Sequence, residues 1–208
     1  MGGPLPRAVV IPVQVSPLGA HEYPAAVGVV ARGMRENPIH LAALGPDPDR
    51  RVRLLTRMFT ALLATMDNTP LAARHDGEVL GVLGIAVSPA CMPSATQMLR
   101  FAPLLAASGP VTASRIVRWL RAWSLRDPAE PHSHLGPVAV DAHLQRQGIG
   151  SQMMAAYCAL LDGAGQAGYL ETDKPENVVF YELSGFKTVA DAEVLGVPNW
   201  FMRRQPSA

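Results

Sequence analysis

The chain has 208 residues, of which 49% are hydrophobic and 17% charged, which predicts one folded domain over residues 1–208 and excludes a disordered chain. The formal net charge of +1 gives no sign of a nucleic-acid-binding surface. The two cysteines, Cys91 and Cys158, are too few for a disulfide framework or a cysteine-rich zinc site.

Nothing in the sequence resembles a targeting or membrane-spanning segment. The apolar run Val79–Val87 is too short to cross a bilayer. The first residues carry one early charge, Arg7, and prolines at positions 4, 6 and 12, which does not fit a secretory signal peptide. We therefore expect a cytoplasmic protein that has neither a membrane nor a nucleic acid as its partner.

The first ninety residues alternate between strand and helix patterns. Pro12 inside a β-branched segment is typical of an edge strand, and Asp76-Gly77 between two apolar runs predicts a β-hairpin. Asp49 is the expected N-cap of the second helix. The predicted elements are, in order, a loose tail over 1–7, a strand over Ala8–Val15, helices over Pro24–Met34 and from Asp49 to Leu63 with a proline-rich loop between them, and hairpin strands over Leu71–Arg74 and Val79–Val87.

Residues 89–131, which we call the insert, differ from the rest because they are rich in Met and Trp. Their apolar residues have helical spacing and are interrupted by Pro103, Gly109 and Pro110, which predicts two or three short helices. A helical cap over the core explains this pattern. The same cap also suits the wall of a small-molecule pocket, because such pockets are mostly apolar.

The last third of the chain predicts a β-α-β unit followed by further strands. The order of elements over the whole chain is typical of a mixed α/β fold. The predicted elements are a strand over His132–Val140, a helix over Gly150–Ala164, a strand over Gly168–Thr172, a helix over Glu176–Ser184, and strands over Phe186–Val194 and Trp200–Arg203.

The most informative segment follows the strand Val138-Ala139-Val140. A polar loop leads to Gly148 and Gly150 at the start of a helix. Free N–H groups and the positive dipole end make a helix start suited to phosphate, and glycines let the backbone come close to it. Ser151 adds a hydroxyl donor and Arg146 adds a positive charge. The segment therefore predicts a phosphate-binding loop.

Two common phosphate-binding motifs do not fit this loop. The dinucleotide fingerprint needs a third glycine where Met153 stands, and the loop from Val140 to Gly148 is too long for its tight turn. Glu171 nevertheless follows the glycines at about the sequence separation at which the dinucleotide fingerprint has its ribose-binding carboxylate. The Walker pattern is excluded because the sequence has no Gly-Lys-Ser/Thr.

The pattern Gln145-x-x-Gly148-x-Gly150 resembles the acetyl-CoA pyrophosphate loop of the GNAT superfamily of N-acyltransferases. Downstream, Asn177, Phe180-Tyr181 and Gly185-Phe186 resemble the second signature of this family, in the family's order. The resemblance is sharp over His132–Arg204 and only architectural before it. Within the superfamily, this part is most similar to puromycin N-acetyltransferase and its actinobacterial relatives.

The resemblance implies a GNAT-like fold, in which a central mixed, mostly antiparallel sheet is flanked by helices. Residues 132–186 would form the core that binds acetyl-CoA, in a V-shaped opening between the strands that end at Val140 and Thr172. Pro137 fits if the strand splays or bulges there. The residues that the resemblance implies for cofactor binding are Val138, Ala139, Val140, Gln145, Arg146, Gln147, Gly148, Ile149, Gly150, Ser151, Asn177 and Tyr181.

The activity that the resemblance implies is transfer of an acetyl group from acetyl-CoA to a primary amine of a small molecule. Direct attack needs no enzyme nucleophile and no metal ion. Tyr181 is the expected general acid for the leaving thiolate. His134 and Glu171 are rival general bases; a pocket-wall histidine, a structural carboxylate and a water chain remain open as alternatives. The other histidines, His21, His40, His75 and His143, are expected in loops.

Two alternative functions stay open. The chain could be a non-catalytic acyl-CoA-binding module that senses the cofactor, or an acetyltransferase that acts on a protein N-terminus or lysine. Tyr181 favours an enzyme over a sensor, and the insert argues against a protein acceptor. A homodimer is common in the family, although no feature of this sequence indicates one.

Overall fold

The structure is a computed structural model that describes residues 10–65, 70–89, 91 and 98–207. The predicted tail over residues 1–7 lies outside the described residues, as do residues 90 and 92–97 of the insert. No helix in the described part of the chain is long and apolar enough to cross a membrane.

The strands are β1 (Gln14–Pro17), β2 (Leu71–His75), β3 (Glu78–Val87), β4 (Ser133–Val140), β5 (Gly168–Thr172), β6 (Lys187–Val194) and β7 (Val197–Arg204). The helices are α1 (Tyr23–Met34), α2 (Pro38–Leu44), α3 (Pro48–Thr65), α4 (Ala102–Ser108), α5 (Pro110–Ser124), α6 (Ile149–Ala164) and α7 (Pro175–Glu182).

The strands form one sheet in the order β1-β2-β3-β4-β5-β7-β6. Neighbouring strands are antiparallel, except β4 and β5, which are parallel and pair only at Ser133↔Gly168 and His134↔Tyr169. Beyond these pairs β4 and β5 continue without pairing with each other, and they leave a gap that we call the opening. The mixed, mostly antiparallel sheet flanked by helices confirms the predicted fold class.

Helices cover both faces of the sheet, because successive strand residues point to opposite sides. On one face, Ala72 and Val82 pack in a core with α1 to α5. On the other face, Ala73 and Leu83 pack in a second core with α6. Strands β2 and β3 are therefore buried on both faces, which explains why they contain nearly continuous apolar runs.

The predicted hairpin is confirmed. Strands β2 and β3 pair as far as His75↔Glu78, and the two residues between them, Asp76 and Gly77, have φ angles of 49° and 83°. A two-residue turn with both residues left-handed matches the twist of the strands it joins. The first strand lies at the sheet edge, as expected, but β1 begins at Gln14.

Two local predictions in the first third of the chain are wrong. The segment predicted as a proline-rich loop contains α2, because Pro38 occupies the first turn, where a helix loses no hydrogen bond to proline. The start of α3 is capped by Asp47 and not by Asp49. The Oδ1 atom of Asp47 accepts hydrogen bonds from the backbone N–H groups of Asp49 and Arg50, at 3.0 Å each.

A bulge in β4 lies next to the opening. Leu83 pairs with Val138, and Ile85 pairs with Leu135, so that Gly84 faces two residues, Gly136 and Pro137. A Cβ atom on Gly84 would lie 2.6 Å from Pro137 Cδ and would also collide with the Gly136 carbonyl oxygen. Glycine at position 84 therefore permits the close approach of β3 to the bulge.

We expect Gly84→Ala to lower the free energy of unfolding by about 1 to 3 kcal/mol, because backbone atoms cannot move aside as a flexible side chain can. Gly163→Ala is the matched control, since a Cβ there meets open space inside α6 and should stabilise the helix by about 0.5 to 1 kcal/mol. Urea unfolding of both variants measures the difference, and an unchanged midpoint for Gly84→Ala would contradict the close approach.

Candidate active site

The opening exposes main-chain groups of β4. The backbone N–H of Asp141 donates to Leu80 O at 2.9 Å, and antiparallel residues alternate between pairing with the neighbour and facing away from it. Ala139 therefore directs its peptide groups to β3, whereas Val138 and Val140 direct theirs away from β3, on the side of the opening. The structure brings Val138 and Val140 to the opening but not Ala139, whose side chain is buried in the core.

The loop predicted to bind phosphate, Gln145–Ser151, lies at the start of α6, and we call it the cofactor loop. Arg146 and Gly148 have positive φ angles of 65° and 76°, which turn the chain into the helix. Ile149 is buried in the second core and anchors the first turn. The Gln147 carbonyl oxygen accepts a hydrogen bond from Ile11 N–H at 3.1 Å, so the segment before β1 lies against the loop.

The side chain of Gln145 has a positioning role in this structure. Its Nε2 donates to the carbonyl oxygens of Gly33 and Val140, at 3.1 and 3.3 Å, and ties the cofactor loop to α1 and to the end of β4. A Cβ on Gly33 would collide with the Val140 carbonyl oxygen, so α1 also approaches this point closely. These contacts fix the direction in which α6 begins.

The cofactor loop offers donors suited to an anion. The first N–H groups of a helix lack intrahelical acceptors, and in α6 these belong to Ile149, Gly150 and Ser151. Arg146 is exposed and forms no ion pair within the described part of the chain. Gly148 faces Val10, whose Cγ1 would lie 3.0 Å from an added Cβ. A helix N-terminus, a free guanidinium and a glycine in close contact fit the phosphate-binding role.

Asn177 and Tyr181 lie four residues apart on one side of α7, and both line the same cavity. Tyr181 is buried against Phe180 and Phe186. The Tyr181 hydroxyl forms no hydrogen bond with any described residue, and no hydrogen bond contributes to its pKa shift. Burial raises the pKa of Tyr181 above its ordinary value, and the Asp173 carboxylate raises it further. The phenol therefore keeps its proton at neutral pH.

A cavity of about 440 Å³ extends from the opening into the insert. Val138, Asn177 and Tyr181 line one part of it. The rest is mostly apolar and is walled by α3, α4 and α5. The apolar lining residues on these helices and the turn before them are Met58, Phe59, Leu62, Met98, Phe101, Leu104, Leu105, Ile116, Val117, Trp119, Leu120 and Trp123.

The two rival bases are hydrogen-bonded to each other. His134 Nε2 lies 2.8 Å from Glu171 Oε2, and His134 Nδ1 lies 3.1 Å from Asp127 Oδ1. Burial by itself lowers the pKa of His134, but the Glu171 carboxylate and the hydrogen bonds with Asp127 and Cys91 outweigh this effect and raise it well above its ordinary value. His134 and Glu171 both line the cavity.

The sequence reasoning missed two polar groups of the cavity. His40 lies in α2 and not in a loop; it is 2% exposed, and its Nδ1 lies 2.7 Å from Met34 O. Asp173 is also buried, and its Oδ2 accepts a hydrogen bond from Ile39 N–H at 2.7 Å. No local pattern could have indicated either group, because both depend on α2 packing against the end of β5. Of the other histidines expected in loops, His75 ends β2, and His21 and His143 lie in 3-10 turns.

Comparison with known proteins identifies a family and a shared fold. The family model described as "Acetyltransferase (GNAT) family" matches residues 39–186. A Corynebacterium glutamicum structure described as "histone acetyltransferase HPA2 and related acetyltransferase" is 21% identical with a TM-score of 0.70, covering 94% of this chain and 97% of that chain. Arylalkylamine N-acetyltransferase 2 from Aedes aegypti is 12% identical with a TM-score of 0.64, covering 94% and 99%. The polyamine N-acetyltransferase of Drosophila melanogaster is 11% identical with a TM-score of 0.63, covering 93% and 100%.

Proposed function

The chain belongs to the GNAT acetyltransferase family, and we propose that it moves the acetyl group of acetyl-CoA to a primary amine of a small molecule. One observation carries the proposal: the opening, where peptide groups of β4 are not paired with β5, leads into a mostly apolar cavity that is also lined by Tyr181 and Glu171. The same arrangement provides one place for the cofactor arm and another for the acceptor.

The residues at the opening and at the start of α6 fit acetyl-CoA, which when bound supplies an activated acetyl thioester. Arg146 and the N–H groups of Ile149, Gly150 and Ser151 would hold the pyrophosphate. The peptide groups of Val138 and Val140 would bind the pantetheine arm. The N–H of Val138 would also stabilise negative charge that develops on the acetyl oxygen.

Tyr181 is the proposed general acid. Its hydroxyl has no described hydrogen-bond partner, it lines the cavity near Asn177, and burial raises its pKa. It therefore carries a proton at neutral pH. Because burial also makes the phenol a weaker acid, donation to the departing sulfur requires that the thiolate be desolvated in the same cavity. Asn177 is proposed to position the thiol end of the cofactor from one turn earlier in α7.

The proposed base is a member of the hydrogen-bonded pair His134 and Glu171. The Glu171 side chain is 4% exposed, and its Oε1 has no hydrogen-bond partner within the described residues, whereas Oε2 bonds to His134. A carboxylate with one free oxygen beside the cavity can accept the proton that the attacking amine must lose.

The cavity favours an acceptor amine that carries an aromatic or aliphatic group. The wall formed by α3, α4 and α5 is mostly apolar, and a second ammonium group placed against these helices would lose its hydration without a carboxylate partner there. Trp119 Nε1 is buried and has no hydrogen-bond partner in the described part of the chain. An acceptor amine whose apolar group carries one hydrogen-bond acceptor would therefore fit best. The insert, whose helices wall the cavity, also argues against a protein N-terminus or lysine as acceptor.

The predictions about family subtype, cellular location and oligomeric state accompany the same proposal. Similarity to the puromycin N-acetyltransferase type, a cytoplasmic location and a homodimer stay predictions. A non-catalytic acyl-CoA sensor stays an alternative, and the Tyr181 hydroxyl, which bonds to no described residue, argues against it because a sensor needs no acid there.

The first test combines calorimetric titration with acetyl-CoA and a thiol-release assay. We expect binding of one acetyl-CoA per chain, and thiol release that depends on an added primary amine. Binding without release for any amine tested would support the sensor, whereas absence of binding would overturn the cofactor site.

We expect phenethylamine to have a higher kcat/KM than spermidine, and Leu105→Glu to reverse this preference by about tenfold or more. Leu105 lines the cavity, and a carboxylate there would pair with the second ammonium of a polyamine and repel an apolar body. Leu160→Glu is the control, because Leu160 is 55% exposed on α6. The thiol-release assay measures both ratios, and an unchanged ratio in Leu105→Glu would exclude this part of the cavity as the acceptor site.

A further inference from the structure

Four side chains with metal-binding atoms meet where the insert leaves and rejoins the sheet. Cys91 lies near the beginning of the insert, Asp127 lies near its end, His132 immediately precedes β4, and His134 is the second residue of β4. One donor atom from each, a sulfur, an oxygen and two ring nitrogens, lies within 4.8 Å of all the others. We call these four residues the Cys91 cluster.

Four contacts within the Cys91 cluster are close to the edge lengths of a tetrahedron around a zinc ion. Cys91 Sγ lies 3.3 Å from Asp127 Oδ2 and 3.7 Å from His132 Nε2. Asp127 Oδ1 lies 3.3 Å from His132 Nε2 and 3.1 Å from His134 Nδ1. Tetrahedral zinc, with bonds of about 2.0 to 2.3 Å, holds its donor atoms about 3.3 to 3.8 Å apart. Cys91 contacts Oδ2 of Asp127 and the imidazoles contact Oδ1, so the carboxylate must turn one oxygen toward the ion, and the four donor atoms, which lie within 4.8 Å of one another, must draw together around it.

The outer nitrogen of each imidazole is already engaged by an acceptor. His132 Nδ1 lies 2.8 Å from the Glu130 carbonyl oxygen, and His134 Nε2 lies 2.8 Å from Glu171 Oε2. A carbonyl or carboxylate oxygen can only accept, so each of these nitrogens carries the proton. Histidines that bind a metal are oriented in this way by a carbonyl or a carboxylate on the other ring nitrogen.

The inner side of the Cys91 cluster gathers negative charge, which either a second proton on His134 or a metal ion can offset. Where each imidazole carries only its outer proton, the lone pairs of His132 Nε2 and His134 Nδ1 both point at the Asp127 carboxylate. Lone pairs facing a carboxylate repel each other unless protons or a metal ion lie between them. The His132 side chain is fully buried and that of Asp127 is 13% exposed, so water screens this repulsion poorly.

We propose that Cys91, Asp127, His132 and His134 bind one zinc ion. A thiolate, a carboxylate and two neutral imidazoles balance the two positive charges of Zn²⁺, so that the buried site has no net charge. Binding releases the thiol proton of Cys91 and any second proton on the imidazoles. Thiolate and imidazole ligands favour zinc over magnesium or calcium, which prefer oxygen.

The zinc ion would fasten both ends of the insert to the sheet beside the cavity. With His134 Nδ1 on the metal and Nε2–H donating to Glu171 Oε2, His134 is a ligand and Glu171 is the member of the pair that can act as base. The ion has no place in acetyl transfer itself. Its binding can therefore be tested whether or not the proposed function holds.

The test uses the purified full-length protein. We expect metal analysis to find one zinc per chain, and a chelator that removes it to lower the melting temperature. Replacing zinc by Co²⁺ should give the visible bands of a tetrahedral site and a near-ultraviolet band from thiolate-to-cobalt charge transfer, both of which an equivalent of Zn²⁺ should remove.

Two cysteine variants identify the ligand. Cys91→Ser should lose the charge-transfer band. Its affinity for Zn²⁺ should also fall by more than the ~10- to 100-fold that is lost when a group hydrogen-bonded to a metal ligand is removed. Cys158→Ser should keep both, since Cys158 lies on α6 near Ser184 and outside the cluster. If Cys91→Ser does not fold, the charge-transfer band still tests the proposal: its presence in both the native protein and Cys158→Ser would show that Cys91 supplies the thiolate. Absence of bound zinc and of the cobalt bands in the native protein, or their full retention in a folded Cys91→Ser, would overturn the proposal.

Discussion

Replacing Tyr181 by Phe is expected to lower kcat about 100-fold or more while leaving the dissociation constant for acetyl-CoA nearly unchanged. The change removes one oxygen atom from the cavity wall and keeps the ring that packs against Phe180 and Phe186. Because the hydroxyl has no described protein partner, its removal leaves no orphaned group. The thiol-release assay and calorimetry measure the two quantities separately.

The matched control for this variant is Tyr157→Phe. Tyr157 is also buried, but its hydroxyl donates to the Ser133 carbonyl oxygen at 3.0 Å, away from the cavity. We expect that variant to lose stability and to keep kcat. Equal kcat values for native protein and Tyr181→Phe would remove Tyr181 as the acid.

The pH profile provides a second view of Tyr181. A general acid works only while it is protonated, so its contribution is lost as the pH rises through its pKa. Burial, with a smaller contribution from Asp173, raises the pKa of Tyr181 above the ordinary value of about 10. We therefore expect no decline in kcat from about pH 8 to pH 10. A decline in this range that disappears in Tyr181→Phe would contradict the raised pKa.

The second large effect is expected from Gly148→Glu, which should weaken acetyl-CoA binding by about 100-fold or more. Gly148 has a φ of 76°, and an added Cβ would lie 3.0 Å from Val10 Cγ1, so the loop must deform to accept a side chain. The carboxylate would also occupy the anion position at the start of α6 and repel the pyrophosphate.

Gly163→Glu, at the other end of α6, is the control that separates the effect of an added negative charge from the effect of its position. Gly163 is exposed, and a Cβ there meets open space. Gly163→Glu should therefore leave acetyl-CoA affinity within about twofold of the native value. Gly148→Ala adds backbone strain without charge, so its acetyl-CoA affinity should lie between those of Gly148→Glu and Gly163→Glu. Native affinity in Gly148→Glu would show that the cofactor loop does not hold the pyrophosphate.

The elements that the sequence predicted well are those with strong local patterns. Strand β5 matches the prediction in both of its limits, and α6 differs by one residue at its start. The hairpin turn at Asp76-Gly77 depends on left-handed backbone that these residue types supply. The motif Gln145-x-x-Gly148-x-Gly150 similarly needs only the residues of one loop, and the family to which it pointed is confirmed.

The errors arose where a distant segment completes a local structure. Helix α2 starts where Asp173, in a segment 134 positions away, accepts a hydrogen bond from Ile39 N–H. Without that carboxylate, the proline-rich segment has the composition of a loop. His40 was assigned to a loop for the same reason, although it lies buried against Trp119 beside the cavity.

The sequence alone determined the fold class, the family, and the residues that surround the start of α6, because a glycine pattern, a strand and a helix start are neighbours along the chain. Only the tertiary structure decided that His134 and Glu171 form one pair, that Cys91 and Asp127 meet His132, and that helices of the insert wall a mostly apolar cavity. The physical reason is distance along the chain. Cys91 and His132 are 41 positions apart, and no local periodicity records a contact that packing of the insert on the sheet creates.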